Sequence, residues 1–162
     1  MSRGLGDVYK RQHFRGPPIS IKYTDADTVA MAKLTPVLVD LIRRPDTNKV
    51  MSTISEDGMP HTIVCGTLTV PEEDVIAVGR VWLNRTGRNI QRDPRAEFFV
   101  WSGKYAYSIL CEFIGNSADE KEVEKMNEGL DKIGLGTSTV WKFRVLAVYD
   151  EGISDTMGER IS

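Results

Sequence analysis

Apolar and polar positions change period along the chain, and each change marks an element. Between Thr24 and Pro45, the residues Val29, Met31, Leu34, Val37, Leu38, Leu41 and Ile42 recur at helical spacing. Thr24 or Asp25 can cap that helix, Pro36 can break it, and Pro45 stops it. From Asn48 the period drops to two. The run NKVMSTISEDGMPHTIVCGTLTV alternates on both sides of Glu56-Asp57-Gly58, which predicts two strands joined by a tight turn with Gly58 at positive φ. A turn at Pro71 to Asp74 precedes a third strand, Val75 to Leu83. Ala96 to Trp101 and Tyr105 to Gly115 read as the fourth and fifth. Residues 118–134 return to helical spacing, with Asp119 and Glu120 placed for the positive end of the helix dipole and Gly134 for its end. A long alternating run, 138–152, makes a sixth strand. Such a meander with few helices predicts a mainly β protein with flanking helices, an antiparallel six-stranded barrel rather than an α/β sheet.

Composition narrows the class. The chain has 162 residues, enough for one domain with its own core or for a protomer that shares part of its core. Hydrophobic residues at 41% and charged residues at 27% are ordinary for a soluble protein, and no apolar run is long enough to span a bilayer. A pI near 5.7 argues against a general nucleic-acid binder, which carries a broad basic surface. Cys65 and Cys111 each lie in an apolar run and no signal-peptide pattern opens the chain, so buried thiols in a reducing cytoplasm are the expectation. The stretch GDVYKRQ, Gly6 to Gln12, looks like read-through of a transposon end used in sequencing libraries. Residues 1–12 therefore read as a disordered cloning or assembly scar, and residues 13–162 as a single domain.

One local charge excess stands out against a formal net charge of -2. NRTGRNIQRDPR, Asn84 to Arg95, holds four arginines in a dozen residues, and Pro94 ends any helix begun near Thr86. In a short helix, Arg85, Arg88, Asn89 and Arg92 stand at i, i+3, i+4 and i+7 and share one face. Asn84 or Thr86 can cap its start, and Gly87 lets a ligand approach the backbone. Unpaired amides and planar guanidinium forks together match phosphate oxygens. Arg80 on the preceding strand can reach the same site. The competing reading is a solvated helical face with Arg92 and Arg95 paired to acidic neighbours.

The order of these segments resembles the FMN-binding split-barrel family typified by pyridoxamine 5'-phosphate oxidase, in its small general form. The residues that carry the resemblance are Gly58 and Pro60, the strand Val75 to Trp82, Arg85, Thr86, Asn89, Asp93-Pro94-Arg95, and Phe98 to Trp101. It extends over about Leu34 to Tyr149. It implies a six-stranded split barrel that forms a homodimer with FMN in the grooves between protomers. It implies phosphate contacts from Arg85 and Thr86, supported by Arg88 and Asn89, with Gly79 and Arg80 lining the phosphate end. It also implies that the backbone of Thr62, Ile63, Val64 and Cys65 runs along the flavin ring. Ile63 and Leu68 stand where the oxidase itself has basic residues, and its C-terminal substrate segment has no counterpart after Tyr149, so oxidation of pyridoxamine phosphate is not expected.

The resemblance thus implies an FMN-dependent oxidoreductase acting on a small organic molecule. The alternatives are a flavin- or haem-binding sensor or store without turnover, or a deazaflavin-dependent reductase using the same site. His61, at the start of a strand, and Trp101 and Tyr107, flanking a strand turn, are the candidates for the substrate side. His61 and His13 are the only histidines, and two separated cysteines do not make a zinc site, so no metal is expected. Ser52 and Ser108 have no matching base in the sequence, and no nucleophilic triad is visible.

Overall fold

The computed structural model describes residues 32–81 and 83–162. The expectations for residues 1–31, the scar and the cap at Thr24 or Asp25 among them, and those for Trp82 lie outside the described residues. Helix α1 spans Pro36–Arg43, with proline in its first turn and Thr35 as N-cap, whose Oγ1 accepts from the Leu38 N–H at 3.3 Å. It buries Leu38, Leu41 and Ile42.

Strands β1 (Asn48–Ile54), β2 (Pro60–Val64), β3 (Leu68–Glu72), β4 (Val75–Gly79), β5 (Arg95–Ser102), β6 (Tyr105–Ser117) and β7 (Val140–Asp150) form one antiparallel sheet. Their order is β2-β1-β5-β6-β7-β4-β3. The count is seven rather than six because the run after Gly58 is not one strand. Its first half pairs with β1, from Pro60 to Val64, and the Cys65 N–H still reaches the Lys49 carbonyl at 2.9 Å. At Gly66 the chain changes partner, and Leu68 pairs with Val78 of β4. The two edges of the sheet are therefore consecutive pieces of chain, and the barrel is split between them. The third strand is also shorter than its apolar run. It ends at Gly79, where the Arg80 N–H turns to the Thr139 carbonyl and the Val81 N–H to the Gly79 carbonyl.

Alternation sorts the two faces. Met51, Phe98, Ile109 and Val148 are successive register partners across β1, β5, β6 and β7, and all four are fully buried. Phe98 meets Phe143 edge-on at 5.2 Å. The opposite face carries the row Val64, Val50, Phe99, Ser108 and Tyr149. All five residues of β4 are buried, because its other face is covered by helix α3, Glu120–Leu130. Asp119 caps α3, its Oδ1 accepting from the Lys121 and Glu122 N–H groups at 3.1 Å, and a 3-10 turn, Asp131–Ile133, leads to Gly134 at φ 71. The β1–β2 turn has Gly58 at φ 80, the left-handed backbone that its sequence predicts.

The β7 end turns back at Gly152. A Cβ there would lie 2.6 Å from the Lys104 carbonyl oxygen and 3.0 Å from the Ala106 nitrogen, both backbone atoms that no rotamer change can move. Gly152→Ala is therefore expected to destabilise the fold by about 2 kcal/mol, read as a lower urea midpoint at unchanged slope. An unchanged midpoint would show that this turn opens freely.

Candidate functional site

The arginine stretch folds as helix α2, Asn84–Arg92, between β4 and β5. The helix starts one residue earlier than the arginine spacing requires. Leu83 occupies the N-cap and no side chain caps it, so Asn84 and Thr86 do not serve that role and the first-turn amides are left unspent. Pro94 follows its C-terminal end. Arg95 pairs with Asp93 across the turn into β5, Nη2 to Oδ2 at 2.6 Å, which holds the Asp93 carboxyl below the usual carboxylate range.

Arg85, Arg88, Asn89 and Arg92 do share a face. They line an open depression of about 460 Å³, whose opposite wall is the β1–β2 turn, Ser55, Glu56 and Asp57. Asn89 is only 3% exposed and anchors the helix, its amide donating to Thr53 Oγ1 at 3.0 Å. The Arg85 guanidinium donates to Ser55 Oγ at 3.1 Å, and that of Arg92 to the Ile54 carbonyl. Arg88 makes no hydrogen bond or ion pair with any described residue. None of the three guanidiniums has a described carboxylate within 4.0 Å, although Glu56 and Asp57 share the depression. A guanidinium has five donors, and at Arg85 and Arg92 one each is seen in use. The depression therefore presents many free donors and, with three cations against two anions, a net positive charge. That donor set fits a phosphate group.

None of the other sequence candidates lines this depression. His61 faces Thr53 in the β1–β2 register, and burial, then the Arg85 charge, lower its pKa, which keeps the imidazole neutral near pH 7. Thr62, Ile63 and Val64 lie on β2, whose outer edge has no strand partner among the described residues. Thr62 Oγ1 and Ser52 Oγ are 2.9 Å apart, and Val64 is 85% exposed. Cys65 is buried, and burial pushes its thiol up to about 12, too high for a thiolate at neutral pH.

Thr86 is 2% exposed and lies off the depression, and Gly87 faces the Trp141 ring, 3.4 Å from where a Cβ would stand. Arg80 stacks over the same indole, its Cζ 5.8 Å from the centroid, so Trp141 joins Arg80 to the start of α2 without bringing it into the depression. Gly79 packs under α3, where a Cβ would come within 3.0 Å of Leu130 and Met126. Trp101 is on the outer face against Phe99 at 5.6 Å, and Tyr107 is on the inner face opposite Val100. Trp101 lies six residue steps along the strand from Arg95, about 20 Å from the α2 end of β5. Ser55, Glu56 and Asp57 were not apparent as site residues in the sequence, because only the hairpin register folds their turn over α2.

No group of three metal-ligating side chains occurs among the described residues, and none of their helices is long and apolar enough to cross a membrane. Solved structures share this architecture. A FMN-binding protein from Syntrophomonas wolfei superposes with a TM-score of 0.61 at 14% identity, over 72% of this chain and 84% of that one. The chain has the split-barrel fold of the pyridoxamine 5'-phosphate oxidase-like proteins. A candidate pyridoxamine 5'-phosphate oxidase from Lactobacillus delbrueckii aligns with the split barrel at TM-score 0.58 and 19% identity, over 72% and 93% of the two chains. An F420 reductase aligns at 0.56 and 16%, over 67% and 93%. No protein-family model and no curated protein matches the sequence.

Proposed function

We propose that this split barrel binds FMN through the α2 depression and acts as an FMN-dependent oxidoreductase on a small organic substrate. The observation that carries the reading is the set of three guanidiniums, from Arg85, Arg88 and Arg92, facing one depression with no carboxylate partner among the described residues. Arg85 and Arg92 are held to Ser55 and Ile54 by hydrogen bonds, and Arg88 stands beside them in the same depression. Arg88 and the free donors of Arg85 would take the phosphate oxygens, while Asn89 fixes the helix to β1. The outer edge of β2, from Thr62 to Val64 and without a strand partner among the described residues, offers backbone donors and acceptors for the rim of a planar ring. FMN when bound supplies the hydride or electron-pair chemistry, so the protein needs few acid or base groups of its own. The fold shared with a FMN-binding protein supports the assignment, and the fold shared with an F420 reductase supports a deazaflavin as the second candidate.

A visible spectrum of the purified protein, followed by titration with FMN, tests the reading. Yellow protein, or saturable quenching of flavin fluorescence, is the expected result; protein that is colourless and ignores FMN would sink it. Anaerobic bleaching of the bound flavin by a reduced nicotinamide then separates an oxidoreductase from a passive binder.

The reading includes a homodimer. Val64 at 85% and Leu110 at 37% exposure, with half-buried Val50, Phe99 and Trp101, leave an apolar outer sheet face that the described residues of one protomer do not cover. Light scattering on a size-exclusion peak is expected to give about twice 18.2 kDa. A monomer that retains FMN tightly would contradict a groove shared between protomers.

A further inference from the structure

A second concavity, of about 420 Å³, opens between the C-terminal end of α1, strand β3 and the last turn of α3. It shares no lining residue with the α2 depression. Its walls include Ile42, Leu68, Val70 and Met126, all apolar and buried. Its charged lining is entirely cationic among the described residues: Arg43, Arg44, Lys49, Lys125 and Lys132. Asp46 neutralises Arg44 at 2.6 Å, but Arg43, Lys125 and Lys132 make no hydrogen bond or ion pair with a described residue.

Lys49 is the unusual member. It points to the inner face of β1 and is only 6% exposed. Its ammonium donates to the carbonyls of Arg44 at 3.1 Å and Thr47 at 3.3 Å, which engages two of its three protons. A buried cation with a donor to spare is costly unless a counter-charge approaches, and Asp46, the carboxylate that acts on it, is already paired with Arg44. Burial accordingly pulls its pKa below the ordinary lysine value. Gly129 adds a separate observation. It lines the groove from α3, and a Cβ there would meet only Thr67 Cγ2 at an ordinary 3.6 Å, so packing does not demand glycine. The missing side chain keeps the groove open.

We infer that this groove binds a small organic carboxylate with an apolar body, its headgroup held by Lys49 and the free cations and its hydrocarbon laid on Leu68, Val70 and the exposed Ile133, with Ile42 and Met126 packed beneath. An uncharged apolar ligand would leave the cations unmatched, and inorganic phosphate would leave the apolar wall bare. The inference is independent of the flavin reading.

Fluorescence titration of the full chain with anilinonaphthalene sulfonate, followed by displacement with decanoate, tests it. Decanoate should displace the dye, and decanol, of the same length without the charge, should be at least about tenfold weaker, the loss expected of one charge-assisted contact. Lys125→Glu with Lys132→Glu, and separately Gly129→Leu, should each weaken decanoate by about tenfold, while Arg85→Ala with Arg88→Ala leaves it unchanged. Thermal melts confirm that each variant is folded, and the exposed lysine pair carries the test if the leucine disturbs α3. Absence of decanoate binding, equal potency of decanol, loss of binding only in the α2 variant, or displacement of decanoate by FMN would each overturn the assignment.

Discussion

If the α2 depression holds FMN as proposed, replacing both Arg85 and Arg88 by alanine is expected to weaken FMN binding by about two to four orders of magnitude, the sum of two charge-assisted hydrogen bonds worth about 1.5–3 kcal/mol each. Arg88 has no partner among the described residues to lose, and Arg85 gives up a single half-buried hydrogen bond with Ser55, so the fold should lose no more than about 1 kcal/mol. The thermal melt of the apoprotein then stays close to that of the wild type while the titration curve moves. Arg88→Lys gives an intermediate result, since it keeps the charge and loses the planar fork. Arg92→Ala is less informative, because Arg92 also ties the end of α2 to the Ile54 carbonyl and its loss affects packing. An FMN dissociation constant unchanged in the double variant would mean that the phosphate is held elsewhere, with the start of α2 and Arg80 over Trp141 the next place to look.

Phe98→Ala is expected to remove about 3–5 kcal/mol of stability, from lost transfer energy and the cavity left behind. Phe98 is fully buried, lies in register with Met51 and Ile109, and meets Phe143 edge-on. Against a total of about 5–15 kcal/mol for an ordinary domain, that loss leaves a marginal fold. The adjacent Phe99 faces outward, so Phe99→Ala should cost the protomer much less and instead weaken association of two copies. Urea unfolding measures the first effect and light scattering against concentration the second. A loss below about 1 kcal/mol at Phe98 would show that the β5 register is shifted by one residue, which exchanges the two faces.

Much of the site was legible because its periodicity is local. Arg85, Arg88, Asn89 and Arg92 share a face in any short helix, and Pro94 bounds that helix wherever it packs. What lies opposite that face was not legible. The wall of Ser55, Glu56 and Asp57 depends on the pairing of β1 with β2, and Thr53, which anchors Asn89, is an unremarkable alternating residue in the sequence. Gly79 and Arg80 stand near Arg85 along the chain, yet one sits under α3 and the other over Trp141, because β4 ends between them and the chain turns.

By itself the sequence determined the mainly β class, the Gly58 turn, the acidic start of α3, the basic face of α2 and the alternation of β1. Each rests on relations within a few residues: a carboxylate at a helix start, a left-handed glycine, a period of two or of 3.6. Only the tertiary structure decided that one alternating run serves two edges, that the sheet has seven strands, and that Lys49 is buried beside a cationic groove. A hydrophobic alternation records which face is dry but not which strand lies alongside. The partner of a strand is chosen by packing the whole sheet, and a change of partner at Gly66 leaves no mark on the pattern.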